Sequence, residues 1–134
     1  MIVDTSVWID LLNDRNTPQA RELARALEDD EPVLVPGLVL TELLQGLQNE
    51  TAATRVAELM SAFPSPPELE TGDYRRAAGL YRACRARGTT PRSTIDCIIA
   101  QTCLKLDLPI LARDRDYQAI AQIAPLRVIA IVAG

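Results

Sequence analysis

The chain has 134 residues, 48% of them hydrophobic and 24% charged, with 14 basic against 18 acidic side chains for a net charge of -4. That length fits one domain, residues 1–134, able to bury roughly 65–70% of its unfolded surface, and the composition is globular rather than disordered. Histidine is absent, which excludes serine–histidine and cysteine–histidine hydrolases and leaves carboxylates, hydroxyls, arginine or a hard metal ion to do any chemistry.

Met1 to Leu12 is interrupted by Asp4 and Asp10 and has no basic leader, so it reads as neither a signal peptide nor a membrane span, and a cytoplasmic location is expected. Met1-Ile2-Val3 is a short strand that ends at Asp4-Thr5-Ser6, where Thr5 or Ser6 is expected to cap a helix through Leu12. A second helix is predicted from Thr17 to about Glu28, with Pro18 at its first position. Pro32 to Pro36 is a buried strand between prolines, and a helix from about Gly37 to Gln48 carries Leu40, Leu43, Leu44 and Leu47 at helical spacing.

Thr51 to Phe63 reads as an amphipathic helix closed by Pro64-Ser65-Pro66-Pro67, and Glu68 to Glu70 as a short extended piece. A helix from about Asp73 to Arg87 follows, with Gly88 as its cap, and then one from Thr94 to about Leu106. Pro109 to Ala112 is a strand, Arg113 to Asp116 leads into a short helix through about Ile123, and Leu126 to Val132 is the last strand. Five short strands alternating with helices predict an α/β fold with a mainly parallel five-stranded sheet covered on both faces.

Charge is unevenly placed. Residues 1–72 hold thirteen acids and four arginines, whereas Arg75, Arg76, Arg82, Arg85, Arg87 and Arg92 follow one another with no acid between them. Such a patch suits phosphate groups, and a solvated helix face explains it equally well. Cys84, Cys97 and Cys103 have no Cys-x-x-Cys spacing and read as buried thiols.

Four acids stand out. Crevices of parallel sheets open at the carboxyl ends of the strands, where Asp4 and Asp114 both fall. Glu42 interrupts a leucine-rich helix and has no basic residue one turn away, so either it sits on an exposed edge or a cation neutralises it. Asp96 lies in a first helical turn, and Ser93-x-x-Asp96 also has the form of a capping box. Grouped carboxylates raise one another's pKa and become tolerable around a divalent ion; an all-oxygen set suits Mg2+, with Mn2+ as a substitute, and Mg2+ favours phosphate ligands.

Taken with Ile2-Val3-Asp4-Thr5-Ser6-Val7-Trp8-Ile9-Asp10, Thr94-Ile95-Asp96-Cys97-Ile98-Ile99-Ala100 and Leu111-Ala112-Arg113-Asp114-Arg115-Asp116-Tyr117, these acids make the chain resemble the PIN-domain ribonucleases, and more narrowly the VapC toxins of bacterial VapBC toxin–antitoxin pairs. The resemblance implies a three-layer α/β/α domain and a shallow acidic pocket for one or two Mg2+. Asp4, Glu42 and Asp96 would be the core ligands, Asp114 the fourth acid and Asp116 a supporting ligand. Thr5, Ser6 and Thr94 would line the pocket, where Ser6 and Thr94 serve as helix caps at least as readily.

It further implies hydrolysis of RNA by metal-activated water, with Asp4 or Asp96 orienting that water or taking its proton and the arginines from Arg75 to Arg92 holding the flanking RNA backbone. Implied partners are a VapB-type antitoxin, whose arginine often enters the acid pocket, and a second copy of the chain. Trp8, Leu11 and Leu12 either face the antitoxin or belong to the core. Alternatives are a non-catalytic metal- or RNA-binding module and a DNA-directed nuclease of the same fold. A phosphoaspartate enzyme fits poorly, since Ser6 stands where a second acid is needed and Lys105 is the one lysine.

Overall fold

Two apolar dipeptides make the centre of the sheet. In the computed structural model, which describes residues 1–131, β1 (Ile2–Val3) pairs in parallel with β2 (Ile110–Leu111), Ile2 opposite Ile110 and Val3 opposite Leu111. All four side chains are fully buried, and since neighbours in a strand point to opposite faces, both faces of the sheet are covered. Leu34 bridges to Ile2 on one side and Val128 to Ile110 on the other.

Among the described residues the sheet is therefore smaller than the five strands expected. Prolines 32 and 36 bracket Leu34 and lack the amide hydrogen that a longer ladder needs, and the Val35 amide turns instead to the Pro64 carbonyl at 2.9 Å. The segment 68–70 forms no strand: Glu68 is exposed and Glu70 becomes the N-cap of the next helix. Around Val128, hydrogen bonds from Ile110 N–H to Arg127 and from Ile129 N–H to Ile110 hold a single bridge; Val132, the predicted end of that strand, lies outside the described residues.

Helices supply the rest: α1 (Thr5–Leu12), α2 (Pro18–Glu28), α3 (Gly37–Gln45), α4 (Glu50–Met60), α5 (Thr71–Ala86), α6 (Thr94–Leu106) and α7 (Arg115–Ala121). α1 packs on α2 and α3, α3 on α4, and α5 along α6 with α7 against both. Trp8 is 2% exposed and stacks obliquely on Phe63 with ring centroids 5.1 Å apart, so it is core. Leu11 and Leu12 are half-buried beside it. No helix among the described residues is long and apolar enough to cross a membrane.

Candidate active site

The expected helix cap at Thr5 or Ser6 is displaced by one residue, and the displacement builds the site. Asp4 itself is the N-cap of α1, yet its carboxylate bonds no helix amide. Its amide is tied to the Leu111 carbonyl across the sheet at 2.9 Å, while its side chain accepts from Ser6 Oγ and from Tyr117 Oη, each at 2.9 Å. Thr5, freed from capping, donates to Glu42 at 2.9 Å, which brings the half-buried carboxylate of α3 to the start of α1.

Asp96 faces the same place from the first turn of α6. Ser93 caps that helix through Ile95 N–H, and the Asp96 side chain is bound by Tyr117 Oη at 3.2 Å, so its partner lies in the pocket. Asp114 caps α7 by accepting from Asp116 N–H at 2.9 Å. Carboxylate oxygens of Asp96, Asp114 and Asp116 all lie within 4.8 Å of one another. The structure thus gathers Asp4, Asp96, Asp114 and Asp116, with Glu42 joined through Thr5.

The electrostatic consequence falls on Asp96. Burial, followed by the negative charges of Asp4, Asp114 and Asp116, pushes its carboxyl up to about 7 from an ordinary 3.8, against the opposing Tyr117 hydrogen bond. Burial, followed by the charges of Asp4 and Asp96, pushes the Tyr117 phenol far above its usual range, so it remains a donor. One hydroxyl proton cannot serve both Asp4 and Asp96, and the shortfall is a demand for positive charge. An all-carboxylate donor set with that demand fits a hard divalent cation.

Arg92 answers part of the demand. Its Nη2 donates to Asp114 at 2.8 Å and its amide to Asp116 at 2.9 Å, contacts with Asp114 foremost that raise its pKa further. Arg75, Arg76, Arg82, Arg85 and Arg87 are exposed, and none pairs with these acids among the described residues. Arg76 lies 3.6 Å from Asp73, Arg85 over the Tyr81 ring, and Arg87 reaches the Gln122 carbonyl. Thr94 is exposed on the first turn of α6, whereas Ser6 lines a cavity of about 200 Å³ with Arg92, Arg113 and Asp114.

A larger cavity, about 470 Å³, surrounds Asp73 and Lys105. There the carboxylate is held at about 2, chiefly by Lys105 at 2.6 Å and then by Glu70 N–H, which is a satisfied pair and not an open demand. The thiols are inert: burial pushes Cys97 to about 11 and Cys103 to about 12. One participant, Tyr117, escaped the sequence reading. Tyr117 sat within a quoted motif, and a buried phenol's need for a polar partner was its signal.

A family model for the PIN domain matches residues 1–123. Ribonuclease VapC11 of Mycobacterium tuberculosis and VapC ribonuclease Mb1587 of Mycobacterium bovis are each 31% identical over 128 residues, covering 95% of this chain and 96% of theirs. Among solved structures, VapBC-1 from nontypeable Haemophilus influenzae matches with a TM-score of 0.72 at 19% identity, covering 96% of this chain and 95% of that one. FitAcB from Neisseria gonorrhoeae matches at 0.64 and 18%, covering 96% of each chain. VapBC2 from Rickettsia felis, bound to a DNA fragment from its promoter, matches at 0.68 and 12% with the same coverage. With a sheet-end acid pocket and a match along nearly its whole length, the chain belongs to the PIN-domain family and is of the VapC type.

Proposed function

We propose that the chain is a magnesium-dependent endoribonuclease, acting as the toxin of a type II toxin–antitoxin pair. The observation that carries this reading is the buried Asp96, crowded by three other carboxylates and short of positive charge. Asp4, Asp96 and Asp114, with Asp116 and Glu42 in support, would hold the ion. The chemistry such an ion supplies is Lewis-acid activation of water and neutralisation of charge on the phosphoryl oxygens.

The chain's own groups do the remaining work. Asp4, fixed by Ser6 and Tyr117, orients the attacking water, and Asp96 takes its proton. Arg92 offsets part of the charge on Asp114 and Asp116. Names of relatives support ribonuclease activity, and the VapBC assemblies among the structural matches support a VapB-type partner. An apolar cleft of about 240 Å³, lined by Ile9, Leu12, Leu43 and Val56 among others, suits an apolar segment of that partner; Leu12 belongs to it, and Trp8 does not.

Digesting single-stranded RNA and DNA with Mg2+, with Mn2+ and with chelator tests the proposal. RNA cleavage that needs the ion and vanishes in Asp96→Asn is expected. Binding without cleavage would favour a non-catalytic module, and preferential DNA cleavage a DNA-directed nuclease. Growth arrest on expression, relieved by the product of the neighbouring upstream gene, tests the toxin role.

A further inference from the structure

Asp10 is the most deeply buried acid among the described residues, with 1% of its side chain exposed, and it belongs to none of the groups above. A carboxylate so far from water must be paired. Its close partner is Arg113, whose Nε lies 2.9 Å from Oδ2. Thr17 Oγ1 at 3.4 Å and the largely exposed Arg15 at 3.7 Å add little.

Arg113 directly precedes Asp114, and 47% of its side chain is exposed. It lines the same cavity as Ser6, Arg92 and Asp114, and Asp10 is its one acidic partner among the described residues. With Nε engaged from behind, both terminal nitrogens of the fork remain to meet a ligand. An RNA phosphate entering this cavity meets Asp114, with Asp96 and Asp116 grouped beside it, and needs a cation fixed beforehand. Arg92 is 70% exposed and already committed to Asp114, whereas Arg113 is anchored by an interior charge.

We infer that Arg113, clamped by the buried Asp10, is a phosphate-binding side chain of the acid pocket that takes a non-bridging oxygen of the RNA backbone. Asp10 is the positioning residue behind it. The inference rests on the ribonuclease reading above and adds to it the residue pair that receives substrate. Guanidinium and phosphate match as a two-pronged contact that a lysine ammonium cannot reproduce.

The test is binding of a labelled single-stranded RNA oligonucleotide to the full chain in Ca2+, over a range of salt, beside cleavage in Mg2+. Loss of one phosphate contact lowers the slope of log affinity against log salt by about 0.7. Arg113→Gln is expected to lose that much slope and roughly tenfold in affinity, one contact's worth. Arg113→Lys should fall between, and Arg15→Gln should match the wild type.

Should Arg113→Gln fail to fold because it strands Asp10, the double variant Asp10→Asn, Arg113→Gln removes both charges and is expected to show the same binding defect. Wild-type cleavage together with unchanged affinity and slope in the Gln variants overturns this inference alone. A wild type that neither binds nor cleaves RNA overturns the nuclease reading and this inference with it.

Discussion

Tyr117 shows how one side chain sets the character of the pocket. It is fully buried, and its hydroxyl stands between Asp4 at 2.9 Å and Asp96 at 3.2 Å, so it offers a single proton to two acids that repel each other. Tyr117→Phe leaves the aromatic packing and removes that donor, at a cost of about 1–3 kcal/mol for stranding buried acceptors. Thermal melting in chelator should fall accordingly, cleavage should weaken as Asp4 loses its anchor, and added Mg2+ should recover part of the stability. An unchanged melting temperature would mean that the hydroxyl is not needed to hold the acids. Asp96→Asn does the opposite to the fold: it deletes the charge that the neighbours penalise and keeps an oxygen for Tyr117 to bond. It should melt higher than the wild type at pH 8 in chelator while losing cleavage, a gain in stability at the expense of function.

At the scale of elements, the helix ends follow one rule with an unusual residue. α1, α2, α5 and α6 each finish with a residue at positive φ: Asp14 at 55°, Asp30 at 54°, Gly88 at 77° and Asp107 at 52°. In each the next amide returns to a carbonyl five residues back, as Glu31 to Ala26 and Thr89 to Cys84, both at 2.9 Å, which is the Schellman pattern. Gly88 was legible as a cap because glycine adopts that conformation freely, while aspartate carries no comparable signal for the same role. Asp30 is exposed and has no ion pair among the described residues, and its charge faces the negative end of α2. Asp30→Gly should therefore stabilise the protein by about 0.5–1 kcal/mol, read as a higher midpoint in urea at unchanged slope. A lower midpoint would show that the aspartate contributes something other than its backbone angle.

Helix positions were legible because their signals are local: Thr17 before Pro18, leucines at helical spacing in α3, Ser93 before α6. Strand pairing depends on partners a hundred residues away, and the prolines around Leu34 look like strand boundaries in sequence but act to limit pairing. The acids were legible by their positions after strands and at helix starts. What sequence could not supply was their wiring, since Thr5 to Glu42 and Arg113 to Asp10 join residues 37 and 103 positions apart. Those links exist only once the helices are packed.

Over the whole molecule these charges make stability depend on pH in a direction opposite to that of most small proteins. Asp96 has a native pKa of about 7 against an ordinary 3.8, so between those values the native state holds a proton that the unfolded chain has released. With the unfolded state binding fewer protons, stability falls as pH rises from about 4 to 7, by no more than about 4 kcal/mol at 1.36 kcal/mol per pKa unit. Asp73, held at about 2, works the other way: its contribution is present above its ordinary pKa and is lost as pH falls toward 2. The metal-free protein should therefore melt highest near pH 4–5 and progressively lower up to about pH 7, levelling off toward pH 8. A divalent ion competes with the Asp96 proton for the same oxygens, so Mg2+ should raise the melting temperature more at pH 8 than at pH 5. Both effects should flatten in Asp96→Asn, where no carboxylate is left to titrate at that position. Melting temperatures in chelator that climb steadily from pH 5 to pH 8 would mean that Asp96 ionises without strain, and the crowded pocket would then exert no pull on a cation.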